Sequence, residues 1–229
     1  MLTIRRDEER GRTLLDWLDS RHTFSFGEYS DPAHMGFRTL RVINEDRVAP
    51  GGGFPTHAHR DMEILTFVLD GALAHRDSLG HFAVTRAGEL QRMTAGTGVS
   101  HSEHNHSDDK PVHFLQIWIR PERHGLAPGY EQRALGRRRG FALAVSRDGR
   151  EGSLKIHQDA EVHIAELSPS EEAIFPLSPD RHAWVQVARG EASVSGNVLK
   201  AGDGLAASGE ERIVAQATKP ATLLLFDLA

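Results

Sequence analysis

The stretch Gly51-Gly52-Gly53-Phe54-Pro55-Thr56-His57-Ala58-His59-Arg60-Asp61-Met62-Glu63 runs into the apolar segment Ile64-Leu65-Thr66-Phe67-Val68-Leu69. Further along stands Thr94-Ala95-Gly96-Thr97-Gly98-Val99-Ser100-His101-Ser102-Glu103-His104-Asn105. In both, a glycine-rich turn leads to two metal-capable side chains spaced two residues apart. Successive side chains of a strand point to opposite faces, so His57 and His59 share a face, as do His101 and Glu103. If the two strands face each other inside a barrel, three imidazoles and one carboxylate converge. That donor set suits a divalent first-row ion such as iron, manganese, nickel, copper or zinc. A single His-x-His would carry little weight in a chain with 14 histidines. Two pairs with one spacing, each behind glycine, make a metal site the leading reading.

Outward from this core the chain reads as strand after strand. Residues 64–69 are apolar without interruption, as in a strand covered on both faces. Asp70-Gly71 is a hairpin signal, and Ala87-Gly88-Glu89 and Gly96-Thr97-Gly98 are further turns. Residues 112–119 form another strand, ended by Pro121. Upstream, Thr23, Phe24, Ser25 and Phe26 alternate, which predicts a strand with a buried aromatic face. Ser30-Asp31-Pro32 marks a turn and residues 37–43 a further strand. Downstream, residues 153–157 and 161–167 alternate as half-buried strands, and 183–188 and 222–226 add more. His22 and His34 are read as hydrogen-bonded structural residues, and His157 and His163 as solvent-facing. Many short strands with almost no helical periodicity predict an all-β sandwich or barrel. Residues 120–140, with Pro121, Pro128 and the run Arg137-Arg138-Arg139, are the linker candidate, and the basic run is read as a solvated loop.

The 229 residues suffice for one large all-β domain or two small ones. A formal net charge of -5 gives no basic face, so no direct nucleic-acid binding is expected. There is no cysteine, which excludes disulfides, thiolate ligation and a cysteine nucleophile. The charged start, Met1-Leu2-Thr3-Ile4-Arg5-Arg6-Asp7-Glu8, is not a secretory signal, and no apolar run approaches a membrane span. A cytoplasmic, monomeric protein away from membranes is the expectation.

The two halves also answer each other. Phe67-Val68-Leu69-Asp70-Gly71 matches Gln186-Val187-Ala188-Arg189-Gly190, and Arg86-Ala87-Gly88-Glu89 matches Lys200-Ala201-Gly202-Asp203. The interval between the paired glycines is 88 − 71 = 17 residues in the first half and 202 − 190 = 12 in the second. Counted without gaps, His57 and His59 fall on Pro176 and Ser178, and His101 and Glu103 on Ala215 and Ala217. Two related barrels and one metal are predicted.

The segment His57-x-His59 with Glu63, followed by Gly98-x-x-His101-x-x-x-Asn105, resembles the two cupin motifs. Gly71 falls one residue late after Glu63, and Gly96 stands where the second motif usually has proline. More specifically, the chain resembles the pirins, and among them the bacterial pirin-type quercetin 2,3-dioxygenases. The resemblance spans nearly the whole length. Trp17-Leu18-Asp19-Ser20, His34-Met35-Gly36-Phe37, residues 56–65, Gln116-Ile117-Trp118-Ile119 and Tyr130-Glu131-Gln132-Arg133 all contribute to it. It implies a bicupin: two double-stranded β-helix barrels, here divided as residues 1–130 with the metal and 131–229 without ligands. It implies ligation by His57, His59, His101 and Glu103, with ferrous iron the expected ion and Mn, Ni, Cu, Co or Zn compatible with the donors. For the bacterial members it implies opening of the flavonol ring with O2 and release of carbon monoxide. A planar polyphenol and O2 are then the partners. For eukaryotic members it implies transcriptional co-regulation, so a redox-responsive metal-binding regulator is the alternative; a cupin isomerase or sugar binder is a third class.

The two carboxylates leave one question open. Glu63 lies four residues beyond His59, so an unbroken strand would turn it to the histidines' face, and general cupins often use this glutamate as the fourth ligand. Glu103 is nearer in sequence to a ligand and is where the pirin resemblance puts the ligand. Glu103 is therefore assigned to the metal and to taking the substrate hydroxyl proton. Glu63 is assigned a place behind the ligands or a structural role.

Overall fold

Leu65, Phe67 and Leu69 turn to one side of the strand Glu63–Asp70, and Ile64, Thr66 and Val68 to the other; all six are buried. The uninterrupted apolar run thus marks a strand with protein on both faces, as the sequence predicts. The computed structural model describes residues 1–136 and 140–229, so the basic run Arg137-Arg138-Arg139 lies outside the described residues.

The described residues form four antiparallel-dominated sheets, two of seven strands and two of four. In the first half, a seven-stranded sheet runs in the order Gly129–Ala134, Glu89–Thr94, Glu63–Asp70, Val112–Ile119, Leu40–Val48, Leu18–His22 and Gly11–Leu15. Its partner runs Gly53–His59, Val99–Asn105, Ala72–Asp77 and Phe82–Arg86. The second half repeats the plan, with seven strands around His182–Arg189 and Ala221–Leu228 and a four-stranded sheet of Glu172–Pro176, Arg212–Ala217, Glu191–Val194 and Asn197–Lys200. The all-β, two-barrel architecture is therefore as expected.

The seven-stranded sheets pack back to back. One apolar cluster joins Leu65, Phe67, Leu115 and Ile117 of the first half to Ile164, Trp184, Leu224 and Phe226 of the second. Phe24 meets Trp184 across this seam at 4.9 Å between ring centroids. The barrel interiors then differ in kind. The second is filled by Val, Leu, Ile and Ala. The first holds buried Asp46, Thr66, His75, Thr85, Gln91, His101 and Glu103. Buried polar groups are costly unless paired, so a polar interior points to a use.

The glycine correspondence marks real corners. Gly71 and Gly190 have φ of +77° and +75°, and a Cβ at Gly190 would lie 1.8 Å from the Pro220 carbonyl oxygen. Asp70-Gly71 is not a hairpin, however. The strand before it pairs with Val112–Ile119 and Glu89–Thr94, and the strand after it with Val99–Asn105 and Phe82–Arg86. The glycine carries the chain from one sheet to the other.

Other local readings also shift. The strand Leu18–His22 stops before Thr23, and the predicted alternating strand there is an irregular loop in which Thr23, Phe24 and Ser25 are all buried. The Ser25 hydroxyl ties that loop to Asp31, donating to its carbonyl and accepting from its N–H. The linker candidate contains the strand Gly129–Ala134, paired with Glu89–Thr94 of the first half, so the expected division at residue 130 falls within it. Leu2–Arg5 pairs with Gly204–Ser208 of the second half.

Candidate metal centre

Gly53–His59 and Val99–Asn105 lie side by side with His57 directly opposite His101 and His59 opposite Val99. The two-residue period then turns His57, His59 and His101 inward together. Their ring centroids are 4.5 to 4.9 Å apart, and one nitrogen from each lies within 4.8 Å of the others. His57 Nδ1 donates to the Pro55 carbonyl at 2.8 Å, which leaves Nε2 as the bare nitrogen. His59 meets the edge of Trp118 at 5.0 Å. Burial, then the neighbouring His57, lowers His59 to about 4. Burial, then His57 and His59, lowers His101 to about 2. His59 and His101 are thereby held in the neutral form a metal requires.

Glu103 enters from the same strand. It is 1 % exposed, its Oε2 accepts from Gln116 Nε2 at 2.7 Å, and Gln116 Oε1 in turn accepts from the Thr66 hydroxyl. Burial, then the charge of Asp46, raises its pKa to about 7. A register shift between His101 and Glu103 sets the carboxylate slightly apart. Among the described residues it groups within 4.8 Å of His101 and His75 rather than joining the three-histidine set.

Two buried atoms test whether these residues fit a metal. Among the described residues, His101 Nε2 and Glu103 Oε1 find no hydrogen-bond partner. Donors on one ion at bond lengths near 2.1 Å lie at most about 4.2 Å apart, so a small contraction of the triad would seat a first-row cation. The donor set fits.

A cavity of about 410 Å³ opens beside the triad, walled by Leu18, Phe26, Phe54 and Trp118 and carrying His57, His59, Glu103 and Asp46. That volume lies within the ordinary range of small-molecule sites. Asp46 Oδ1 and Trp118 Nε1 are also buried without hydrogen-bond partners among the described residues. Burial is the main cause that lifts Asp46 to about 7.

Glu63 belongs elsewhere. The strand Gly53–His59 ends at His59, the chain turns through Asp61 at φ +49°, and Glu63 opens a strand of the opposite sheet. The parity argument fails because the strand is broken. Glu63 Oε2 accepts from the Thr94 hydroxyl at 2.7 Å, and Oε1 accepts from His157 Nδ1 at 2.9 Å and its N–H at 3.2 Å. It latches one barrel to the other. His157 is thus half-buried and engaged, not solvent-facing. His163 is buried too, bonded to Glu161 at 3.0 Å and packed 4.6 Å from the Phe175 ring, because its sheet face is covered. His22 and His34 are the hydrogen-bonded residues expected, on Asn44 and Thr13 and on Asp31.

Two residues escaped the sequence reading. His75 and Asp77 on Ala72–Asp77 lie opposite Glu103 and His101 and share the barrel interior. The signal was there: His75-x-Asp77 has the same two-residue spacing as the two recognised pairs.

In the second barrel Ala215 pairs with Ala173 and Val194, and Ala217 with Ala192. By register His57 and His59 therefore answer to Ala173 and Phe175, three residues before the Pro176 and Ser178 reached by ungapped counting. Ala215 and Ala217 stand as counted. Every counterpart is apolar.

Residues 3–119 match the family model described as Pirin, and 143–228 that described as Quercetinase C-terminal cupin domain. The chain is 46% identical to a quercetin 2,3-dioxygenase of Escherichia coli K12, covering 100% of this chain and 99% of that one. It is 40% identical to a pirin-like protein of Caulobacter vibrioides, over 93% of each. The fold superposes with a TM-score of 0.96 on the bacterial pirin YhhW of Escherichia coli in complex with nickel(II), at 46% identity, covering 100% of this chain and 99% of that one. Taken with the two stacked barrels and the inward-facing histidines of the first, these matches make the chain a member of the pirin family.

Proposed function

We propose that the protein is a metal-dependent dioxygenase that opens the heterocyclic ring of flavonols such as quercetin with O2 and releases carbon monoxide. The observation that carries this is the 410 Å³ chamber with aromatic walls beside three converging imidazoles and a buried carboxyl. The quercetin 2,3-dioxygenase of E. coli, similar over the full length, supports the same substrate class. An open chamber beside the imidazoles favours catalysis over a metal-binding regulator, which needs no room for substrate.

His57, His59, His101 and Glu103 would hold the metal, with ferrous iron the proposed ion and Mn, Ni, Cu, Co or Zn acceptable to the same donors. When bound, the cation supplies Lewis acidity and a template for the flavonol oxygens and dioxygen. The chain supplies the rest. Phe26, Phe54 and Trp118 offer flat apolar surface to the rings and keep water away. Glu103, a buried carboxylate whose Oε1 faces the chamber side of the site without a hydrogen-bond partner among the described residues, would take the 3-hydroxyl proton. Gln116, donating to its Oε2 and itself held by Thr66, fixes the direction of the other oxygen.

The test is carbon monoxide release from quercetin by metal-analysed protein reconstituted separately with Fe(II), Mn(II), Ni(II), Cu(II), Co(II) and Zn(II). One CO per quercetin and per O2 consumed is expected with at least one of these ions. A fully loaded protein that consumes no quercetin with any of them would overturn the proposal.

A further inference from the structure

We propose that His75 is a positioning residue that fixes the tautomer of His101, and that Asp77 fixes His75 in turn. The inference rests on the reading of His101 as a metal ligand and adds a device behind it.

Asp77 anchors the chain. Its side chain is fully buried and accepts from His75 Nε2 at 3.0 Å, His81 Nδ1 at 2.9 Å, and the N–H groups of Leu79 and His81 at 2.9 and 3.0 Å. Burial alone would raise its pKa, yet these donors hold it below its ordinary value. An ionised carboxylate only accepts, so the hydrogen in the His75 contact sits on Nε2. A neutral imidazole has one donor and one acceptor, which leaves His75 Nδ1 as the acceptor. That atom lies 3.4 Å from His101 Nδ1. His101 therefore carries its hydrogen on Nδ1, and its Nε2 lone pair is free. Among the described residues, His101 Nε2 is one of the buried atoms without a hydrogen-bond partner.

Three features support the assignment. His57 reaches the same state by a simpler route, its Nδ1 donating to the Pro55 carbonyl at 2.8 Å. Tyr130 clamps the other side, with its ring 4.8 Å from His75 and 5.2 Å from His81. In the second barrel, the positions that answer to His75 and Asp77 are Ala192 and Val194, opposite Ala217 and Ala215. The relay and the ligands are absent there together. Partners that orient ligating histidines are worth roughly 10–100-fold in metal affinity.

A competing geometry exists on the same atoms. His75, His101 and Glu103 also lie within 4.8 Å of one another, so His75 is placed to be a ligand itself. The experiment separates the two roles using full-length protein and Co(II) as the probe, with affinity from chelator competition and geometry from the visible spectrum. His75→Leu removes the acceptor, and His75→Asn restores one near the Nδ1 position. If His75 is a positioning residue, His75→Leu weakens Co(II) binding roughly 10–100-fold at unchanged stoichiometry and alters the spectrum, while His75→Asn recovers most of the affinity. Wild-type affinity and spectrum in His75→Leu would reduce His75 to core packing. Loss of stoichiometric binding in both variants would make it a ligand. Either result overturns the proposal. A variant that does not fold leaves a direct readout on the wild type: nitrogen-15 NMR of metal-free protein should find hydrogen on His75 Nε2 and on His101 Nδ1. The opposite tautomer at either ring overturns it. Failure of wild-type protein to take up Co(II) would sink the metal reading alone, since the tautomers are read without metal.

Discussion

Asp46→Asn should make the metal-free protein more resistant to urea as pH rises, a direction opposite to that expected on losing a useful charge. Asp46 lies on Leu40–Val48 beside the cavity, 4 % exposed, with the Ser20 hydroxyl as a partner for one oxygen and, among the described residues, none for Oδ1. Burial is the largest cause acting on it; Ser20 and Arg10 oppose it, the charge of Glu45 adds to it, and the pKa rises from 3.8 to about 7. A folded-state pKa above the unfolded one means that the folded chain keeps its proton longer. The associated stability is full below about 3.8 and is lost as pH rises through about 7. Each pKa unit is worth about 1.4 kcal/mol, so the loss between pH 5 and pH 8 is about 2–3 kcal/mol. Asparagine does not ionise and loses nothing. Asp46 also raises Glu103, so the two carboxyls titrate as a coupled pair, and its removal lets Glu103 ionise at lower pH. Both effects favour the variant at high pH. Urea unfolding at pH 5, 6, 7 and 8, at constant m, measures the difference. A variant-minus-wild-type difference that stays flat from pH 5 to 8 would refute the reasoning, and one that moves towards the wild type would reverse its sign.

Two further outcomes follow from the same geometry. His57→Ala and His101→Ala should lose the metal and turnover yet keep wild-type circular dichroism, because the apolar seam between the barrels does not include them; unfolding of both would make the site structural. Glu63→Leu should leave metal content unchanged but cost about 1–3 kcal/mol in urea, since it strands the Thr94 hydroxyl and the His157 donors. An emptied metal site in that variant would return Glu63 to the centre.

The legible parts of this molecule are those in which a local rule and a long-range contact ask for the same thing. His57, His59 and His101 are spaced two apart along strands, and strand pairing then needs only to bring two correctly phased faces together. His75 and Asp77 obeyed the identical rule, and a search for every metal-capable pair at that spacing would have reached them. Glu63 shows where counting fails. Parity propagates only while the strand is unbroken, and one residue at positive φ, Asp61, ends it. Asp70-Gly71 has the composition of a hairpin, yet composition reports that the chain turns and not which strand receives it. His163 alternates as a half-exposed strand residue does, but exposure depends on what covers the sheet, and Phe175 covers it. The strand Leu2–Arg5 is the plainest instance. Nothing in four residues distinguishes two similar barrels. What decides is that Gly204–Ser208 offers it backbone partners and that Met1, through its amino group on Ser208 and Glu210, locks the start of the chain to the barrel without ligands.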